Sequence, residues 1–159
     1  MKSLNEIKEM VEKELGSLAI KIVSEVPNVI TINVEVQNLF EVASKLNHMG
    51  FDHVKAVTGT DYPAEKKIEL TYHVSSYTDM DLAKVIIALK ARLDRSNPKV
   101  TSLVKVWPSA EYLERETYDL VGVIFEGHPK LERLLLPSDW DQIPPLLKEF
   151  KIKTEGIDA

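Results

Sequence analysis

Ile30, Ile32, Val34 and Val36 alternate with Thr31, Asn33 and Glu35. Successive side chains of a strand point to opposite faces, so this strand has one dry face and one wet face. A sheet made of such strands is antiparallel or mixed and is covered by helices on one side only. Ile68, Leu70, Tyr72 and Val74 repeat the pattern against Glu69, Thr71 and His73.

The sequence also holds helices fit to cover that dry face. Ser3 and Glu6 have the spacing of a capping box. They precede a stripe of Leu4, Ile7, Val11 and Leu15 that stops at Gly16. A second stripe runs through Leu39, Val42, Ala43, Leu46 and Met49 to Gly50. A third helix is predicted from Thr78–Asp81, with Leu82, Val85, Ile86, Leu89 and Leu93 inward, ending before Pro98. Further strands are predicted around Ile20–Val23, from Phe51 to Val57 before a turn at Gly59–Pro63, and from Val100 to Val106. The expected fold is α+β in two layers. A mixed, mostly antiparallel sheet of about five strands carries helices on one face, and an irregular C-terminal arm follows. At 159 residues, one domain is expected. Its core covers 1–107, and 108–159 forms a helix and an extended docking arm.

That last third differs in kind. Six of the eight prolines lie at or beyond Pro98. Ser109 is placed to cap a helix through Val121, with Gly122 as its stop. Beyond it the sequence is broken by prolines yet holds Leu134, Leu135, Leu136, Trp140, Ile143, Leu146, Leu147 and Phe150. An arm this apolar should lie on its own domain or on another protein.

Composition removes several kinds of chemistry. Cysteine is absent, which excludes disulfides, thiolate ligands and a cysteine nucleophile. The six glycines form neither a GxGxxG nor a P-loop. A net charge of −5 argues against nucleic acid as a partner. The longest apolar runs fall far short of the ~20 residues that span a bilayer, and the N-terminus has no signal-peptide pattern. His48 and His53 straddle Gly50 without helical i, i+4 spacing or a third ligand, and read as surface histidines. His73 falls on the polar sheet face, where a hydrogen bond is expected. His128 sits in the turn Glu126-Gly127-His128-Pro129, placed to bond a neighbouring backbone or meet a partner.

Glu111 through Asp119 is densely charged. Glu111–Arg115 and Arg115–Asp119 have i, i+4 spacing, worth about 0.3–0.5 kcal/mol each if exposed. Glu116 falls within a stripe of Leu113, Thr117 and Leu120 and so needs a partner, either Arg133 or a group on a second protein. Paired carboxylates beside His128 would be the sharper reading: a free-standing acid–base enzyme using Glu114, Glu116 and His128. A soluble adaptor with no redox partner would share the same arm.

The segment from Trp107 to Gly122, Trp-Pro-Ser-Ala-Glu-Tyr-Leu-Glu-Arg-Glu-Thr-Tyr-Asp-Leu-Val-Gly, resembles the signature of the thirty-kilodalton (C-type) subunits of respiratory complex I. The resemblance continues through Phe125–Pro129, Leu131, Arg133–Pro137 and Asp139-Trp140. Thr58–Pro63 and Tyr72–Val74 fit it as well. It implies a non-catalytic structural subunit in the soluble arm of a membrane-bound electron-transfer complex. Whether the protein itself counts as an enzyme is left open by this, since the complex is an oxidoreductase. The implied partners are a protein related to the large subunit of nickel–iron hydrogenases and the neighbouring iron–sulfur protein. Glu114, Arg115, Glu116, Asp119, Gly127, His128, Arg133 and Trp140 would position the arm or meet those partners. No cofactor or metal is implied here; iron–sulfur clusters, and in the hydrogenase branch a nickel–iron centre, would sit in the partners. The implied location is the cytoplasmic face of the membrane, reached only through the complex. Leu113, Val121 and the stretch Pro144-Pro145-Leu146-Leu147-Lys148-Glu149 depart from the family pattern, which has aromatics at the first two positions and Pro-Leu-Arg-Lys-Asp at the third. Those departures point to the related subunit of energy-converting hydrogenases or of ferredoxin- or sulfur-linked complexes.

Overall fold

Ser3 opens helix α1 (Leu4–Leu15) through a reciprocal cap: its Oγ accepts the Glu6 N–H at 3.3 Å, and the Glu6 carboxylate accepts the Ser3 N–H at 2.6 Å. The computed structural model describes residues 1–152, so the predicted end of the arm, 153–159, lies outside the described residues. Strands β1 (Ala19–Val26) and β2 (Val29–Val34) form a hairpin whose turn places Asn28 at φ +64°. Helix α2 (Leu39–His48) follows, then β3 (His53–Tyr62), β4 (Lys67–Ser75) and β5 (Ile86–Asp94).

The sheet order is β1-β2-β5-β4-β3. Only β2 and β5 run parallel; the other pairs are antiparallel. This is the mixed, mostly antiparallel five-stranded sheet that the alternation predicts. Ile30, Ile32, Ile68, Leu70, Tyr72, Ile87 and Leu89 are buried on its dry face against Ile7 and Val11 of α1 and Leu39, Val42 and Leu46 of α2. On the wet face Glu69 bonds Lys90 at 2.9 Å and Arg92 at 3.2 Å. His73 shares that face, but its buried Nδ1 has no partner among the described residues, contrary to expectation. Burial and the nearby Lys90 charge lower its pKa.

Three elements differ from the sequence expectation. The predicted third helix is a single 3-10 turn, Leu82–Lys84, followed by strand β5. Leu82, Val85, Ile86, Leu89 and Leu93 step by three and four, but Ile87, Leu89, Ala91 and Leu93 also alternate, and β5 is central, so the run is apolar enough to suit either element. The predicted turn at Gly59–Pro63 is instead a continuation of β3, with the turn at Pro63–Lys66. Gly59 is there for close approach: a Cβ on it would lie 3.0 Å from the Val121 side chain. The predicted strand 100–106 shrinks to β6 (Lys99–Thr101), which pairs in parallel with β7 (Ile124–Glu126) in a separate two-stranded sheet. Beyond β6, Ser102 and Leu103 meet a buried carboxylate, and Val104–Val106 form a turn.

Candidate functional site

Trp107 anchors the entry to the last helix, fully buried, with its indole N–H donating to the Phe51 carbonyl at 2.8 Å. A 3-10 turn, Pro108–Ala110, leads into α3 (Glu111–Val121). Ser109 does not cap α3. Its Oγ accepts the Val54 N–H at 3.0 Å, tying the turn to β3 instead. Helix α3 buries Glu114, Arg115, Thr117 and Asp119, an unusual polar load for one helix. Buried polar groups need partners, and each of these has them.

Glu114 points into the core. One carboxylate oxygen accepts the Tyr72 hydroxyl and the Leu103 N–H, both at 2.8 Å; the other accepts the Ser102 hydroxyl at 2.6 Å. Burial raises the Glu114 pKa, opposed by these three donors and by His128. Burial, with the neighbouring carboxylate, also pushes the Tyr72 hydroxyl well up.

Asp119 performs a different task. Its Oδ2 accepts three successive backbone N–H groups of the arm, from Leu134, Leu135 and Leu136, at 3.2, 2.7 and 2.8 Å. Its Oδ1 meets Arg133 at 3.2 Å. Burial alone would raise this carboxyl; the three amides and Arg133 outweigh it and hold the pKa below the ordinary 3.8. Arg115, also buried, donates to the carbonyls of Glu132 and Arg133 at 3.3 and 3.2 Å. The expected i, i+4 ion pairs of Arg115 are therefore replaced by bonds to the arm. Together, a carboxylate and a guanidinium fix the arm's backbone from both sides.

A second clamp holds the arm's far end. Asp61, inward on β3, takes Arg95 bidentately at 2.6 and 3.0 Å and the Lys148 N–H at 2.9 Å. Arg95 holds its pKa low. Arg95 also reaches Glu149 at 3.4 Å. Between the clamps, Leu146 N–H donates to the Leu120 carbonyl at 2.9 Å, and Pro144 packs on Gly122. Gly122 ends α3 at φ +86°, and a Cβ there would lie 2.9 Å from Pro144. Gly122→Ala is expected to cost about 1–2 kcal/mol, strain and clash together. Thermal unfolding with hydrogen exchange across 140–150 measures it.

The remaining predicted residues are scattered. His128 Nδ1 accepts the Lys130 N–H and Nε2 meets the Glu111 carbonyl, both at 3.0 Å, so both ring nitrogens serve the backbone. Gly127 is exposed in the same turn at φ +81°. Trp140 is half-buried, donating to the Ile143 carbonyl at 3.3 Å beside Phe150. Glu116 is exposed, and Arg133 pairs with Asp119 in its stead. The acid–base constellation is thus not assembled: Glu114 is saturated in the core, Glu116 faces water and His128 is held by main-chain groups. Among the described residues no three His, Asp or Glu side chains gather to hold a metal ion. Asp61 and Arg95 carry no motif that singles them out; the one cue is that Asp61 shares the inward parity of Val57 and Gly59 once β3 is extended.

The arm's backbone is fixed, yet its side chains are not all covered. Leu135 is 60% exposed, Leu146 57% and Ile143 42%.

A family model described as "Respiratory-chain NADH dehydrogenase, 30 Kd subunit" matches residues 32–156. The protein belongs to this family. The C subunit of NADH-quinone oxidoreductase from Moorella thermoacetica is 44% identical over 107 residues, covering 67% of this sequence and 69% of that one. The C subunit of F(420)H(2) dehydrogenase from Methanosarcina mazei is 43% identical over 101 residues, covering 64% and 61%. The match thus spans about two thirds or less of these curated relatives. Among solved structures, one polypeptide of the membrane-bound sulfane sulfur reductase, an archaeal respiratory membrane complex, superposes with a TM-score of 0.81 at 22% identity, covering 93% of this protein and 85% of its own length. A trypsin-resistant fragment of Nqo5 gives a TM-score of 0.68 at 24% identity, covering 79% and 98%. These two likenesses establish the family's fold. Among the described residues no helix is long and apolar enough to cross a membrane.

Proposed function

We propose that the protein is a non-catalytic structural subunit of the soluble arm of a membrane-bound electron-transfer complex of the NADH:quinone oxidoreductase type. In this reading it packs on a hydrogenase-large-subunit-like partner, beside an iron–sulfur protein. Those partners carry the clusters. It reaches the cytoplasmic face of the membrane only through them. Residues 1–107 form the body and 108–159 the docking part.

The observation that carries this reading is the arm. Two buried carboxylates and Arg115 hold its backbone in place, while Leu135, Ile143 and Leu146 remain open to solvent. A segment ordered in advance gives up less entropy on binding than a loose one. Glu116, Gly127 and the exposed leucines offer the contact surface; Glu114, Asp119 and Arg115 act from beneath it. The same geometry suits the equivalent subunit of an energy-converting hydrogenase or a sulfur-linked complex. The likeness to the sulfane sulfur reductase polypeptide supports that alternative.

Leu135→Ser should leave folding of the isolated protein intact and weaken assembly by roughly 30-fold, as for a truncated apolar anchor of about 2 kcal/mol. Glu116→Ala should likewise affect assembly more than folding. Co-purification of native partners, with their identification, checks both. Partners without any redox protein, or normal assembly of the Leu135 variant, would remove the proposal.

A further inference from the structure

Among the described residues, Gly59 on the sheet's outer edge has no hydrogen-bond partner beyond β4. β3 is an edge strand, and two contacts fix which of its backbone groups face outward. The Val54 N–H reaches Ser109 Oγ at 3.0 Å, and the Val57 carbonyl accepts from Thr117 Oγ at 3.2 Å. Both point away from β4. Outward and inward residues alternate along an antiparallel edge. The β3–β4 register is unbroken from Ala56 to Tyr62, so Gly59 also turns its N–H and C=O outward.

Ser109 and Thr117 cover the edge at Val54 and Val57, and the arm crosses near Asp61 through Lys148. Between them Gly59, packed on the Val121 side chain, borders a groove of about 400 Å³ walled also by Leu113, Leu120 and Leu146. Glu116 stands on its rim, exposed, with no ion-pair partner among the described residues.

We propose that this groove seats an extended segment of a partner protein. The backbone of that segment bonds the Gly59 N–H and C=O as a short added strand. A large apolar side chain fills the space between Leu113, Leu120 and Leu146. A lysine or arginine beside it meets Glu116. The open main-chain groups select a peptide over a small apolar molecule, and the uncompensated carboxylate selects a basic one. A second copy of this protein fits poorly, since a two-fold pairing brings Glu116 toward its own counterpart. Leu146 belongs to the exposed row of the arm, so the groove continues the docking surface. The inference rests on the docking role above and adds to it a second attachment with its own chemistry.

The test needs no complex. The full-length protein is used to select from a library of random peptides of about ten residues displayed on phage. Enriched peptides should carry a large apolar residue near a lysine or arginine. Their binding should fall about tenfold or more with Glu116→Lys, and less with Glu116→Gln. Hydrogen exchange at the Gly59 amide should slow when a selected peptide is added. No enrichment, equal binding to the Glu116→Lys variant, or an unprotected Gly59 amide overturns the proposal. So does a peptide-free dimer in which Gly59 is already protected. Because this assay reads the isolated protein and the Leu135→Ser assay reads assembly, either inference can fail without the other.

Discussion

Glu114→Ala is expected to be the most damaging single substitution in the protein, at about 4–5 kcal/mol. It strands the Tyr72 and Ser102 hydroxyls and the Leu103 N–H in the core. A buried group left without its partner costs about 1–3 kcal/mol, and the cavity adds to that. Since whole domains are stable by only about 5–15 kcal/mol, the midpoint of thermal unfolding should drop by roughly 10–20 °C. Glu114→Gln separates the causes. A carbonyl oxygen can still serve Tyr72 and Leu103, and the new amide can donate to Ser102 Oγ, so the loss should be about 1–2 kcal/mol. Equal damage from both variants would mean that shape, and not bonding, decides here.

Asp119→Ala should spare the sheet and release the arm. Three consecutive amides lose their common acceptor, and Arg133 loses its counter-ion. Removing one side of a buried charge pair costs about 3–5 kcal/mol, here charged mainly to the local opening of residues 130–150. Limited trypsin digestion should then cut after Lys130 and Arg133 while α1 and β1–β5 stay protected. Uncut arm under conditions that digest a denatured control would refute the clamp.

Acid should imitate that variant. Asp119 and Asp61 both have folded pKa values below the 3.8 of an unfolded aspartate. Their contribution is complete above pH 3.8 and is lost as pH falls through the lower folded values, where the unfolded state binds more protons. Glu114, raised above 4.5 by burial, works in the opposite sense: its contribution is present below 4.5 and is lost as pH rises through its folded value. The arm should therefore detach below pH 3.8 before the core melts. Hydrogen exchange at the Leu134–Leu136 amides, set against those of β4, reads the order of events.

The parts of this molecule that are legible in sequence are those where one pattern has one solution. The Ser3–Glu6 cap, the stripe of α1 and the alternation of β2 and β4 all fold as their spacing demands. β5 does not, because Val85–Leu89 is apolar on both parities and satisfies a helix as well as a strand. The stop at Gly122 marks α3, but its inward face lies one position away from the predicted one. The stripe through Leu113 and Thr117 flags Glu116 as the buried carboxylate, whereas Glu114 and Asp119 are the ones that are enclosed. Their partners are Tyr72, 42 residues away, and the arm amides 15–17 residues on. Hydrogen-bond donors at such distances leave no periodicity behind. Asp61 and Arg95 are hidden for the same reason: two residues 34 apart become a pair only once the edge strand is extended.

The parallel pairing of β2 with β5 has a consequence during synthesis. β2 ends at Val34 and its neighbour begins at Ile86, so a ribosome must deliver the whole of α2, β3 and β4 before the hairpin gains its second neighbour. Until Asp94 emerges, β2 and β4 each present an open flank to their surroundings, the condition under which nascent polypeptides attract holding chaperones.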